Sequence, residues 1–136
     1  MGQGVSNADL LDLVNLTKET PELVANAGFK IPVCITASVN DLCIVPKELE
    51  GVQDYSGRLW DVLWLARTAF KAALIVSEEK ARHVEFEVIF QVRRTPGKAY
   101  PMPASGRAHG ALAIIVKLWI CFTEHEGFTI MLPEEY

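Results

Sequence analysis

The sequence predicts an α+β protein, in which short N-terminal helices and one long central amphipathic helix pack on an antiparallel sheet of about three strands. Three observations carry that expectation. Residues 55–74 repeat apolar side chains at helical spacing, residues 84–92 alternate apolar with mostly polar side chains, and residues 112–132 hold two apolar runs separated by a turn that ends in glycine. The 136-residue length suits a single globular domain over 1–136. A composition of 50% hydrophobic and 22% charged residues provides for a generous core. Only residues 1–7 are expected to be flexible.

Residues 8–27 lean toward helix through Leu10, Leu11, Leu13, Val14, Leu16, Leu23, Val24 and Ala27. The clearest start signal is Thr20-Pro21-Glu22. It offers a hydroxyl N-cap, a proline where no N–H is needed, and a carboxylate at the positive end of the helix dipole. Gly28 supplies a stop, so a short helix is expected from Pro21 to Ala27. Phe29 to Val33 begins extended, because the residue before Pro32 avoids the α region. From Pro32 or Thr36 onward Val33, Ile35, Val39, Leu42 and Cys43 fit another short helix that ends before Pro46. Residues 46–54 form a loop.

Asp54 or Ser56 caps the long helix, expected over Tyr55 to Leu74. Its Leu59, Val62, Leu63, Ala66, Phe70, Ala73 and Leu74 share a face about 120° wide, the width of a core-facing stripe. Burying the larger of them contributes on the order of 10 kcal/mol before conformational entropy is subtracted. Beyond Ser77-Glu78-Glu79-Lys80 the period falls to two. Val84, Phe86, Val88, Phe90 and Val92 alternate with Glu85, Glu87, Ile89, Gln91 and Arg93, as in a half-buried strand. Leu112 to Phe122 is apolar on both faces, as in a central strand. Thr123 to Gly127 then turns, ending in the residue that tolerates positive φ. Phe128 to Leu132 returns antiparallel until Pro133. Between the first two strands lies a long loop over 94–110, rich in proline and glycine, the kind of connection in which sites collect.

Function is less legible. The net charge is −4, and its sign changes along the chain: residues 1–57 hold 3 basic and 8 acidic groups, 58–117 hold 10 and 5, and 118–136 hold 0 and 4. A basic middle between acidic flanks suits either charge complementarity within the fold or a face for a phosphate-bearing partner. Lys117 interrupts the longest apolar run short of the roughly 20 residues of a bilayer span, so no membrane partner is expected. No basic stretch followed by an apolar run opens the chain, which predicts a cytoplasmic location. Cys34, Cys43 and Cys121 form no C-x-x-C pair and read as reduced, mostly buried small hydrophobes. His83, His109 and His125 supply no zinc spacing, and Glu124-His125-Glu126 reads as an exposed turn. Neither a phosphate-binding glycine loop nor a nucleophile elbow is present, so neither cofactor nor metal is expected.

Two surfaces stand out as candidate binding sites. On the long helix Trp60, Trp64, Arg67 and Lys71 share one edge, where aromatic rings beside cations can stack bases or engage phosphates. Arg93, Arg94, Lys98, Arg107 and His109 surround the long loop with no acid among residues 93–110. These residues predict a non-enzymatic binding module that contacts a protein or nucleic-acid partner. The alternative is a small enzyme with a pocket at the junction of helix and sheet, using Asp61, Arg58 or His109. A homodimer through an exposed apolar sheet edge is a third expectation.

Gly28-Phe29-Lys30-Ile31-Pro32-Val33, Thr36, the block Gly57-Arg58-Leu59-Trp60-Asp61-Val62-Leu63-Trp64 with Ala66-Arg67, and the ending Thr129-Ile130-Met131-Leu132-Pro133 resemble a small family of uncharacterised bacterial proteins carried on plasmids, phages and other mobile elements. The resemblance spans residues 12 to 133 and is weakest over 76–112, which makes the long loop particular to this chain. It implies no activity. By association alone it favours a host-interaction or DNA-maintenance role.

Overall fold

The computed structural model describes residues 12–95 and 97–136. The expected flexibility of residues 1–7, and the first part of the helix-leaning segment, lie outside them. Among the described residues β1 (Leu13–Asn15) leads into α1 (Leu16–Glu19) and α2 (Pro21–Asn26), and β2 (Val33–Thr36) runs directly into α3 (Ala37–Cys43). Then follow α4 (Tyr55–Val76), β3 (His83–Gln91), β4 (Gly106–Ala108), β5 (Ala113–Thr123) and β6 (Gly127–Met131).

The architecture is α+β, with a sheet larger than expected and mixed in direction. Six strands take the order β1-β2-β6-β5-β3, with β4 also on β5. β2 runs parallel to β6, setting Val33 opposite Phe128 and Ile35 opposite Ile130, while the remaining pairs are antiparallel. An antiparallel sheet of about three strands is thereby corrected to a six-stranded mixed one. The long helix is also not central: α4 packs chiefly on β3, the strand at one edge.

The missed strands have local causes. Leu13 to Asn15, expected as helix, pair with β2, and Asn15 Oδ1 accepts from Lys18 N at 3.1 Å. Asparagine therefore caps α1 instead of lying within a helix. Val33 and Ile35, assigned to a helix, are fully buried strand residues, in keeping with the fit of β-branched side chains to a pleated surface. The helix starts only at Ala37, where Thr36 Oγ1 accepts from Val39 N. Part of the long loop is also strand, with Arg107 opposite Ile115.

Asp54 caps α4 by accepting from Gly57 N at 2.7 Å. Leu59, Val62, Leu63 and Ala66 are fully buried, and Phe70 and Ala73 are half-buried. Leu74, assigned to the core face, is 44% exposed, and the helix continues to Val76. The core joins these residues to Phe86, Val88 and Phe90 of β3, Ile114, Val116, Leu118 and Ile120 of β5, and Val33, Ile35, Phe128 and Ile130 of β2 and β6. Gly127, at φ 85°, stands where a Cβ would come within 2.4 Å of the Pro32 carbonyl oxygen. That close approach lets Phe128 N donate to the same oxygen at 2.9 Å, starting the parallel pair.

All three cysteines are free. Burial pushes the Cys43 thiol up to about 12 and the Cys121 thiol up to about 11. Burial first, and then the neighbouring Glu126 carboxylate, raises Cys34. Among the described residues no helix is long and apolar enough to cross a membrane.

Candidate functional site

The N-terminal turns of α4 are organised by Arg58, whose residue is only 7% exposed. Its Nε donates to Gln53 Oε1 at 3.1 Å, one terminal nitrogen donates to Leu42 O at 2.9 Å, and the other donates to Gln91 O. The guanidinium also lies over the Phe90 ring, 5.6 Å from its centroid. One side chain thus ties α4 to the end of α3, the end of β3 and the preceding loop. Desolvation pulls the Arg58 pKa down, opposed by the Tyr100 phenol and then the Cys43 thiol. Its hydrogen-bond acceptors are neutral oxygens.

Beside it a cleft of about 500 Å³ is lined by Gln53, Asp54, Arg58, Trp60 and Asp61, among others. Partial desolvation inside the cleft raises the Asp61 carboxyl above its ordinary value, although the residue as a whole is exposed. Of the residues named for the enzymatic alternative, Arg58 and Asp61 share this cleft. His109 does not line it; it follows β4 as an exposed residue whose backbone N–H donates to Ala113 O.

The tryptophan edge is brought together only in part. Trp60 is half-buried and Trp64 is 47% exposed. Their rings stack on one another at 5.9 Å with an interplanar angle of 16°, so each indole covers a face of the other. Arg67 turns aside, its Nε donating to Gly28 O at 3.1 Å, while Lys71 is exposed.

Two loop cations also have partners. Arg107 pairs with Glu87 at 2.7 Å, both side chains exposed, and the Arg107 hydrogen bond holds the Glu87 carboxyl below its ordinary value. Arg94 bonds the Gly110 carbonyl oxygen. Arg93, Lys98 and His109 are exposed.

Beyond Trp64, sequence reasoning missed the outward side of α4. Ile75 is 87% exposed and Val76 65%. With Trp64, Leu65, Thr68 and Ala72 they form a solvent-facing side whose exposed charges are Asp61 and Lys71. The available signal was scarcity of charge: α4 holds only Arg58, Asp61, Arg67 and Lys71 in its 22 residues, and a surface helix ordinarily carries a polar face.

No family model matches the chain, and neither a curated protein nor a solved structure matches it.

Proposed function

We propose that this chain is a cytoplasmic, non-enzymatic binding module that docks a protein partner through the outward side of α4. The observation that carries the reading is the exposure of Trp64, Leu65, Ile75 and Val76 along one side of one helix. Apolar surface left in water forgoes about 25 cal/mol per Å², and contiguous patches of it mark interaction sites. Leu65, Thr68, Ala72 and Ile75 recur at alternating three- and four-residue steps, the seam spacing of a helix that packs on another helix. Thr68 and Ala72 are small enough for close approach. The resemblance to mobile-element proteins suits a partner supplied by the host or by the element.

A nucleic-acid partner is less well served. The net charge is −4, and Arg94 and Arg107 already have acceptors. The enzymatic alternative has Arg58 and Asp61 in one cleft but lacks His109 there. A homodimer through the β3 edge meets Glu85 and Glu87, exposed charges of the kind that discourage edge pairing.

The test has two arms. Binding to duplex DNA and single-stranded RNA is measured over a range of salt for wild type and for the combined Arg93→Ala, Arg94→Ala, Lys98→Ala, Arg107→Ala variant. No salt-dependent binding is expected from either; steep salt-dependent binding lost in the variant replaces the protein partner by a nucleic acid. In the second arm Leu65→Glu with Ile75→Glu should keep the wild-type fold by circular dichroism and bind less of an apolar fluorescent dye. Unchanged dye binding counts against the docking surface.

A further inference from the structure

We propose that the hollow between the α2–β2 connection and the middle of α4 binds a small amphiphilic anion, an apolar body that ends in a carboxylate or a phosphate. This site adjoins the outward side of α4 at Lys71 but uses none of its apolar residues, and it stands whether or not that side docks a protein.

The hollow measures about 270 Å³, and its lining separates into a floor and a rim. Phe29, Phe70 and Phe128 form the floor. Phe29 meets Phe128 edge to face at 5.3 Å, and Phe70 meets Phe128 edge to face at 4.7 Å. Each ring holds the next, so the floor is fixed before any ligand arrives. The rim carries Lys30, Arg67 and Lys71, and no acid lines the hollow.

Three cations beside an apolar floor, in a chain with more acids than bases, call for a physical reason. The ion pair among the described residues is Arg107 with Glu87, elsewhere in the fold. Arg67 is aimed by a single bond, Nε to Gly28 O. Its terminal N–H groups have no acceptor among the described residues, so the fork that matches a carboxylate or phosphate has donors to spare. Gly28 makes this placement possible. It sits at φ 97°, and a Cβ there would come within 2.5 Å of Arg67 Nε. The guanidinium rests against bare backbone, oriented by it and not neutralised by it.

The two halves of the lining select different parts of one ligand. Phenylalanine rings reward apolar area and give nothing to a bare inorganic anion; the cations reward negative charge and give little to a neutral alcohol. At about 30 Å³ per water the hollow has room for some nine waters. A ligand of roughly ten non-hydrogen atoms therefore fits, smaller than the drug-sized molecules of larger pockets.

The experiment is a two-dimensional amide NMR titration of the full chain with sodium octanoate, octyl phosphate, 1-octanol and sodium acetate in separate arms. Octanoate and octyl phosphate should give saturable shifts at Gly28, Lys30 and Ile31, and whichever binds more tightly assigns the head group. 1-Octanol should bind at least about tenfold more weakly, the factor expected from losing one charge-assisted hydrogen bond, and acetate should bind at least as much more weakly because it lacks the apolar chain that the rings reward. Arg67→Met should weaken octanoate by a similar factor while leaving the melting temperature near wild type, and Lys71→Met, an exposed change, should weaken it less. Equal affinity for octanol and octanoate overturns the proposal. So does the absence of saturable shifts, or undiminished binding by both Arg67→Met and Lys71→Met.

Discussion

Arg58 and Arg67 leave the same helix two and a half turns apart and meet opposite surroundings. Arg58 is buried, and each of its three nitrogens donates to a neutral oxygen from a different part of the chain. Arg67 is half-buried, spends one N–H on Gly28, and lines a hollow together with three phenylalanines. A cation whose donors are taken up by backbone and amide oxygens works as a clamp, because removing it leaves those part-buried oxygens without the partner that joins three segments. A cation with spare donors beside an apolar floor contributes little to folding and is available to a ligand. What separates the two arginines is how far their donors are satisfied.

The largest expected effect tests the clamp. Arg58→Met strands Leu42 O, Gln91 O and Gln53 Oε1, and should cost about 2–4 kcal/mol in urea denaturation. Arg67→Met should fall within about 0.5 kcal/mol of wild type. Equal costs would erase the distinction between the two arginines. Next in size, Gly28→Ala forces a side chain into positive φ and against the Arg67 guanidinium, for about 1–2 kcal/mol. Part of that cost should disappear in the double variant with Arg67→Met, a non-additivity that reports the contact directly. Asp54→Ala removes the cap of α4 and should cost about 1 kcal/mol, without touching octanoate affinity.

The smallest effects are electrostatic and opposite in sign. Glu87 has its carboxyl lowered by Arg107, so its stabilisation is present above the ordinary glutamate value and lost as pH falls through the lowered one. The pair is exposed, and Glu87→Gln should barely move the melting temperature at neutral pH. Asp61 has its carboxyl raised by partial desolvation, so its charged form is the disfavoured one in the folded chain. Asp61→Asn should therefore leave stability at neutral pH unchanged or slightly higher, with the difference vanishing in acid, as melts across pH will show.

The parts of this molecule that sequence exposes are those whose cause is local. Asp54 and the inward stripe from Leu59 to Ala66 lie within a few turns of each other, and the alternation from Val84 to Phe90 states its own period. β2 cannot be read this way. Val33 and Ile35 are strand because β6 lies beside them, nearly a hundred residues later, and Thr36 is held by Glu135 through a 2.8 Å hydrogen bond that no local pattern announces. Candidate sites follow the same rule. The residues of the tryptophan edge are neighbours on a helical wheel, yet Arg67 is drawn from that edge by the Gly28 carbonyl, a tertiary contact. The cations of the long loop looked like one basic patch because Glu87, which neutralises Arg107, lies on another strand. Ile75 and Val76 went unmarked because apolar residues late in a helix ordinarily widen its buried face, and here β3 covers the other side.

The proposed protein-docking role of the outward side of α4 can be tested directly. The direct measurement places a photo-crosslinking amino acid at Ile75 in the full chain expressed in cells, with a matched probe at Lys117, an exposed position of β5. Discrete crosslinked polypeptide products are expected from position 75, abolished by Leu65→Glu, and none from position 117. An absence of products at 75, or products there that are nucleic acid, would contradict it.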